Sequence, residues 1–210
     1  ANAPAVDASL IAYLWPLFIV LGSAMMPGES LRWHHVAGAL MGLGGAAMIV
    51  TKGGSVSFEA HHALGYLMAF ACAFLWSGYS LLSRRLGSVP TDAVTGFCLV
   101  TALLALVCHF AFEQTVWPQT GMQWMAILAL GLLPVGAAFF AWDYGVKRGN
   151  IQILGAASYA SPLLSTIVLV LAGKAEFTTT VMMACLLITF GAVLASKDMI
   201  FGKPANVEAA

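Results

Sequence analysis

Two tyrosine–proline pairs of equal spacing are the residues of this sequence best suited to contact a small molecule. Tyr13-Leu14-Trp15-Pro16 and Tyr159-Ala160-Ser161-Pro162 lie 146 residues apart, each early in an apolar stretch. On a helix, Tyr-x-x-Pro places both residues on one face, and the proline lacks an N–H and clashes with the carbonyl four residues back. In a membrane the freed carbonyls of Ala12 and Ser158 need protein or a wet cavity. The motif therefore predicts two broken helices lining one cavity, with the two tyrosine–proline pairs facing each other across it.

Further aromatic and hydroxyl residues share helical faces with these motifs or with one another. Ser158, Ser161 and Ser165 recur at i, i+3 and i+7, which forms either a substrate-facing stripe or a set of hydroxyls bonded back to their own helix. Aromatic faces suit flat apolar side chains, and an ammonium group can sit over a ring. The predicted substrate-binding residues are Tyr13, Trp15, Pro16, Trp76, Tyr79, Trp142, Ser158, Tyr159, Ser161 and Pro162.

Ionisable residues are rare inside the apolar stretches. His109 is the candidate for proton coupling, whereas Asp143 is close to Lys147 and Arg148 and is expected to form a local ion pair. The absence of a mid-stretch carboxylate favours uniport, although a proton-coupled mechanism stays open. The four cysteines show no metal-ligand spacing, so neither a metal site nor a cofactor is predicted.

The composition places these residues in a membrane protein. Sixty per cent of the residues are apolar and only 9% are charged, against roughly 25% charged in soluble domains. Membrane-spanning helices need roughly 17–25 apolar residues. The sequence predicts an all-α integral membrane protein with seven spans, over 9–26, 36–51, 64–82, 93–112, 122–142, 152–172 and 179–196.

The positive charges predict how these spans are oriented. The connections alternate between two sides, and one side receives seven of the nine cations, namely Arg32, Arg84, Arg85, Lys147, Arg148, Lys197 and Lys203. The other side receives only Lys52 and Lys174. Because cytoplasmic loops are enriched in Lys and Arg, we expect a cytoplasmic C-terminus and a periplasmic N-terminus.

With this topology the two motif helices run in opposite directions, so the repeat is inverted. The second motif helix and the span after it close a block of five spans, 64–196, while the first motif helix is preceded by eight residues. We therefore expect a ten-helix 5+5 parent that lacks its first three helices here. The predicted divisions are 1–54, the last two helices of a truncated first repeat, 63–197, a complete second repeat, and 198–210, a cytoplasmic tail. Gly38, Gly42 and Gly45 share one face and predict close helix contact.

Several motifs together resemble the EamA branch of the drug/metabolite transporter superfamily, and within it the YddG-type aromatic amino-acid exporters of bacterial inner membranes. They are Tyr13-Leu14-Trp15-Pro16, Gly65-Tyr66-Leu67, Phe74-Leu75-Trp76 with Tyr79, Ala141-Trp142-Asp143 with Gly145, Gly149-Asn150, and Tyr159 through Pro162-Leu163. The resemblance covers nearly the whole chain, and it implies a central cavity enclosed by inverted repeats.

The sequence thus predicts an inner-membrane exporter of small metabolites, with aromatic amino acids as expected substrates, acting by alternating access. The alternative is a proton-coupled exporter of other metabolites or drugs. Its partners would be a small-molecule substrate and membrane lipid, without nucleic acid, and both a monomer and a homodimer are compatible with it. A seven-helix rhodopsin- or receptor-like protein is disfavoured because the span 179–196 contains no lysine. An intramembrane enzyme is disfavoured because the sequence contains neither His-Glu-x-x-His nor Gly-x-Ser-x-Gly.

Overall fold

The computed structural model describes residues 3–54 and 59–201, and within these ranges the chain is helical and contains no strand. Lys203 and the predicted tail from residue 202 onward lie outside the described residues. The α-helices, in chain order, are α1 Ala5–Ala12, α2 Trp15–Gly22, α3 Trp33–Thr51, α4 Ala63–Arg85, α5 Ala93–Phe112, α6 Gly121–Leu132, α7 Ala138–Arg148, α8 Ile151–Ala157, α9 Ala160–Leu171, α10 Thr179–Ala195 and α11 Lys197–Phe201.

These helices confirm the predicted all-α membrane architecture. Within the described ranges, six helical stretches are long and apolar enough to cross a membrane: Ala5–Met25, Trp33–Thr51, Ala60–Arg85, Ala93–Phe112, Gly121–Arg148 and Ile151–Leu171. The apolar helix α10 has 17 residues, or about 25 Å at the usual helical rise. The fifth stretch runs six residues beyond its predicted end at 142, because Asp143, Lys147 and Arg148 continue the helix as its polar last turns.

Both motif helices are broken at their tyrosine, as the spacing predicts. The first span is interrupted between Ala12 and Trp15, and the sixth between Ala157 and Ala160. In each, a tightened turn replaces the regular helical bonds: the N–H of Leu14 donates to the Ile11 carbonyl (3.1 Å), and that of Ser161 donates to the Ser158 carbonyl (3.1 Å). The Ser158 carbonyl is therefore paired within its own helix, contrary to the expectation that Pro162 leaves it free.

The fifth span is also irregular, at a third proline. Leu133–Ala137 forms a π-helical turn around Pro134 and Gly136. A β-carbon on Gly136 would approach the carbonyl oxygen of Gly131 to 2.6 Å, so the absence of a side chain there permits the turn. Such turns are common at functional sites.

The described chain divides into two compact units, Ala1–Leu82 with Asn150–Ala210, and Ser83–Gly149. The core of the first unit contains Val20, Ala39, Ala46, Tyr159, Leu163 and Ile188. In the second unit, α5 and α6 expose most of their large apolar side chains. Such surfaces suit lipid rather than water.

Helices α3 and α10 approach closely through small residues, which confirms the contact face predicted from the glycine spacing. A β-carbon on Gly191 would come within 2.6 Å of the Gly38 carbonyl oxygen, and one on Gly45 within 3.0 Å of the Ala184 carbonyl oxygen. From the first contact to the second, the residue number rises from 38 to 45 on α3 and falls from 191 to 184 on α10. The two helices are therefore antiparallel. Adding 146 to positions 38 and 45 gives 184 and 191, so the two contacts exchange under the repeat. This register is what a two-fold axis between α3 and α10 produces.

Candidate functional site

Three of the predicted substrate-binding residues, Trp15, Trp76 and Tyr79, contact one another. We call them the aromatic cluster. Trp15 is the first residue of α2, directly after the helix break, and its ring lies edge-on to Trp76 of α4 with centroids 6.2 Å apart. Trp76 stacks on Tyr79 at 5.5 Å. All three side chains are half-buried. The face they form can hold a flat apolar ring, while the indole N–H and phenol O–H groups offer polar contacts at its edge.

Local geometry explains how the cluster is held. Pro16, the next residue in α2, is fully buried, and it fixes the backbone at the start of the helix. One turn further on, Phe18 contacts Phe70 edge-on at 5.6 Å, which extends the aromatic packing between α2 and α4. Phe18 and Phe70 were not among the predicted residues, although Phe18 follows Trp15 at the i+3 spacing that shares a face.

Tyr159, by contrast, is a core residue. Its side chain is fully buried and lies against α3 at Gly42, where an added β-carbon would reach within 2.5 Å of its ring. Its hydroxyl is buried without a regular hydrogen bond among the described residues, although it lies beside the backbone N–H of Leu17. Tyr13 packs against the same core. In this structure both tyrosines are therefore part of one packed region, Tyr159 within the core and Tyr13 against it, and a role for either in binding stays a prediction.

One member of the hydroxyl stripe, Ser158, is bonded within its own helix, as is the neighbouring Thr166. Ser158 donates to the Leu154 carbonyl (2.7 Å) and Thr166 donates to the Pro162 carbonyl (2.9 Å). Ser161 is exposed, whereas Pro162 is buried. Of the two alternatives for this stripe, the back-bonded one describes Ser158, and Ser161 keeps a surface from which it could contact a ligand.

Trp142 and Asp143 belong to the second compact unit, near the end of α7. Trp142 is half-buried. The carboxylate of buried Asp143 pairs with Lys147 at 2.7 Å and accepts a short hydrogen bond from Ser83. The expected local ion pair is present.

The sequence reasoning missed the role of Arg84 at the C-terminal end of α7. Arg84 donates to the carbonyl oxygens of Lys147 (2.8 Å) and Gly149 (3.0 Å), and so caps the C-terminal end of α7. Lys147 also donates to the Val89 carbonyl (2.9 Å). A paired arginine at the end of an apolar run was the available signal, because free helix carbonyls attract cations.

His109 has only local partners among the described residues. Its ring nitrogens lie 2.7 Å from Glu113 and 2.9 Å from Thr115, at the end of α5. This arrangement is that of a helix end fixed by an i,i+4 pair. Proton coupling through His109 remains a prediction.

A histidine-rich cluster at the start of α3 has the residue types of a metal site. His34, His35 and Asp198 offer atoms within 4.8 Å of one another. However, Nδ1 of His35 accepts a hydrogen bond from the Arg32 backbone N–H at 3.2 Å, so the neutral ring carries its proton on Nε2. A protonated Nε2 cannot bind a metal, and Nε2 of His34 faces Asp198 at 3.1 Å. The cluster is better suited to donating hydrogen bonds than to coordinating a cation.

Apolar spans, two broken helices and an aromatic cluster beside one break define a multi-pass membrane transporter. The chain belongs to the EamA-like transporter family, whose sequence model matches residues 63–197. It is 52% identical to an aromatic amino acid exporter, YddG, of Ancylobacter novellus over 195 residues, covering 92% of this chain and 68% of that protein.

More distant relatives and a solved structure agree with this assignment. The YddG exporter of Salmonella typhimurium is 29% identical over 168 residues, and the chain spans 57% of its length, which is less than two thirds. A biotin transporter of Escherichia coli is 29% identical over 147 residues, 70% of this chain and 49% of that protein. A crystal structure that is 52% identical superposes with a TM-score of 0.89, covering 92% of this chain and 69% of that one.

Proposed function

We propose that this chain forms part of a bacterial inner-membrane exporter of aromatic amino acids that works by facilitated, alternating-access transport. The names of its relatives point to amino-acid export, and two of those named here are aromatic amino acid exporters. The observation that carries the proposal is the aromatic cluster of Trp15, Trp76 and Tyr79 directly after the break in the first span.

In this proposal the aromatic cluster binds the substrate, and the helix break permits movement during transport. The half-buried rings take up the flat side chain, since offset-stacked and edge-to-face contacts are the favoured geometries of aromatic pairs. The charged head group is held by polar groups at the edge of the cluster. Because a broken helix has fewer backbone bonds to disrupt, the segments before and after Leu14 can tilt independently during the transport cycle.

The placement of the carboxylates supports uniport. Within the described spans, Asp7 lies in the first turn of α1 and Asp143 in the last turns of α7. Both are already engaged: Asp7 accepts a hydrogen bond from Tyr66 at 3.2 Å, and Asp143 pairs with Lys147. A proton-coupled exporter commonly carries a titratable group in the middle of the membrane, and these residues lie near the ends of their spans.

Transport in proteoliposomes tests the proposal directly. Uptake of radiolabelled tryptophan, phenylalanine and a polyamine would be measured with and without a pH gradient. We expect both amino acids to be carried down their own gradients, and the polyamine not to be. Inactivity towards both amino acids would refute the aromatic assignment, and a strict requirement for the pH gradient would refute uniport in favour of the proton-coupled alternative.

Substitutions of Trp76 test the role of the aromatic cluster. Trp76→Ala removes the stacking partner of Tyr79 and is expected to raise the KM for tryptophan about tenfold, the equivalent of roughly 1.4 kcal/mol. Trp76→Phe keeps a ring and should retain most of the affinity. Trp124→Ala, which removes an exposed indole of α6, is the matched control and should leave KM unchanged. Equal effects of Trp76→Ala and Trp124→Ala on KM would show that the aromatic cluster is not part of the binding site.

A further inference from the structure

Among the described residues of the first compact unit, a cavity lies at each end of α3. The first, of about 530 Å³, is lined by Gly28, Glu29, Ser30, Arg32, His35, Asn150, Gln152, Ile153, Ala195 and Asp198; we call it the Arg32 cavity. The second, of about 420 Å³, is lined by Met48, Ile49, Lys52, Thr166, Leu169, Lys174, Ala175, Glu176, Thr178, Thr180 and Val181; we call it the Lys52 cavity. Both volumes lie within the usual range of ligand pockets, about 300–1,000 Å³.

The internal repeat converts one cavity into the other. Moving 146 positions along the chain takes Gly28, Glu29, Ser30, Arg32 and His35 to Lys174, Ala175, Glu176, Thr178 and Val181, all of which line the Lys52 cavity. Moving 146 positions back takes Ala195 and Asp198 to Ile49 and Lys52, which line it too. The same shift relates the close contacts of α3 with α10. The two cavities are therefore equivalent places in the two repeats, one at each end of the α3–α10 pair.

The lining positions of the two cavities correspond, but the charges at those positions differ. The Arg32 cavity has two carboxylates, Glu29 and Asp198, and one guanidinium. The Lys52 cavity has two ammonium groups, Lys52 and Lys174, and one carboxylate, Glu176. The position that is Asp198 in one is Lys52 in the other. Each cavity thus offers both signs of charge within the span of one small molecule, with the excess reversed.

The groups of the Arg32 cavity are arranged to exchange partners. Arg32 and Asp198 are paired at 2.9 Å, with side chains 59% and 43% exposed, and such exposed pairs contribute little to stability. An incoming carboxylate can replace Asp198 on the guanidinium, and an incoming ammonium can replace Arg32 on the carboxylate. His35, with its proton on Nε2, and the buried amide of Gln152 line the same space and add hydrogen-bonding groups.

We infer that the Arg32 cavity and the Lys52 cavity are two repeat-related subsites for the ammonium and carboxylate groups of an amino acid, one at each membrane face. This inference rests on the proposed function, because it assigns charged partners to the head group of the same amino-acid substrate. With the predicted topology, the Arg32 cavity receives substrate on the cytoplasmic side and the Lys52 cavity releases it on the periplasmic side.

Calorimetry on the purified protein in phospholipid-free detergent tests the subsites with three probes. L-phenylalanine carries both charges, L-phenylalaninamide lacks the carboxylate, and 3-phenylpropionate lacks the ammonium. Arg32→Gln is expected to weaken phenylalanine binding about tenfold and to leave phenylalaninamide unaffected, since the guanidinium meets only the carboxylate. Arg32→Lys should restore part of the loss. Arg85→Gln, an exposed arginine outside both cavities, is the matched control.

The second cavity is tested by Lys52→Asn. Lys52 has a left-handed backbone, with φ of 54°, which asparagine tolerates better than most residues, so the charge is removed without added strain. The variant should weaken phenylalanine binding about fivefold, and Lys52→Arg should not. Because the cavities are separate, Arg32→Gln should weaken one of two binding sites and Lys52→Asn the other, and the double variant Arg32→Gln/Lys52→Asn should lose affinity at both.

Several outcomes would overturn the inference. Unchanged phenylalanine affinity in both Arg32→Gln and Lys52→Asn would refute the two subsites. They would also be refuted if Arg32→Gln weakened the binding of phenylalaninamide as much as that of phenylalanine. Binding of phosphatidylethanolamine from nanodiscs, with no binding of free amino acids in detergent, would assign the cavities to lipid head groups instead. The proposed function fails separately: wild-type protein that binds the zwitterion with these dependences but transports neither tryptophan nor phenylalanine would keep the subsites and refute aromatic export.

Discussion

At the scale of single residues, the two copies of the Tyr-x-x-Pro motif have different surroundings. Trp15 of the first copy belongs to the half-buried aromatic cluster, whereas the equivalent residue of the second copy, Ser161, is exposed. The prolines have similar surroundings, since Pro16 and Pro162 are both buried. The repeat therefore preserves the element that breaks each helix, while the residues around it have diverged in what they contact.

The buried Tyr159 hydroxyl leads to a prediction about stability. Without a regular hydrogen bond, a buried hydroxyl costs about 1–3 kcal/mol, so Tyr159→Phe should raise the free energy of unfolding by about 1 kcal/mol. Tyr159→Ala should lower it by about 3–5 kcal/mol, because it leaves a cavity in the core. Thermal unfolding in detergent measures both. Tyr144→Phe, at an exposed tyrosine of α7, serves as the control and should change stability little.

Loss of stability in Tyr159→Phe would contradict this reasoning. It would mean that the contact with the Leu17 N–H acts as a stabilising hydrogen bond. In that case the hydroxyl would tie α9 to the first turns of α2, next to the break, and the same variant should also alter transport.

At the scale of elements, some features follow from local sequence and others do not. The helix breaks at Tyr13 and Tyr159 and the irregular turn at Pro134 were predictable, because proline acts within four residues. The small-residue face of α3 was predictable from the spacing of Gly38, Gly42 and Gly45. Its partners were not, since the pairing of Gly45 with Ala184 joins residues 139 positions apart.

The α3 glycines provide a prediction at this scale. In Gly42→Ala the new methyl would lie 2.5 Å from the Tyr159 ring, which is rigid and enclosed, so the variant should lose about 1–3 kcal/mol of stability. Gly78 of α4 has open space around its would-be β-carbon. Gly78→Ala should therefore gain about 0.5–1 kcal/mol through helix propensity.

Thermal unfolding of the two variants side by side separates packing from propensity. If Gly42→Ala and Gly78→Ala shifted the unfolding midpoint in the same direction, close packing of α3 against Tyr159 would not be what Gly42 provides.

For the whole molecule, the two cavities could not be anticipated from the sequence. Their lining comes from five separate stretches of chain, and Gln152 and Ile153 gave no sequence signal. What the sequence did contain was the relation between them, because the 146-residue repeat of Tyr-x-x-Pro is the same shift that exchanges their linings. A repeat indicates which regions are equivalent before their contacts are known.

The orientation of the whole molecule decides which cavity meets which compartment. Seven of the nine cations fall on one side of the predicted spans, and translocation of Lys- and Arg-rich loops is disfavoured. With Cys72, Cys98, Cys108 and Cys185 replaced by alanine, we expect Lys174→Cys to react with a membrane-impermeant maleimide on intact spheroplasts. Arg85→Cys should react only after lysis. Both positions are exposed, so differences in labelling report the side of the membrane.

The opposite labelling pattern would reverse the two faces. The Arg32 cavity, with its excess of carboxylates, would then open to the periplasm, and the same head-group contacts would serve uptake from outside as readily as export. Labelling of both cysteines on intact spheroplasts would contradict a single orientation, because three spans, an odd number, lie between the loop after α4 and the loop after α9. The orientation of the molecule is thus tied to the distribution of nine charges, and this pair of variants tests that connection without requiring a transport assay.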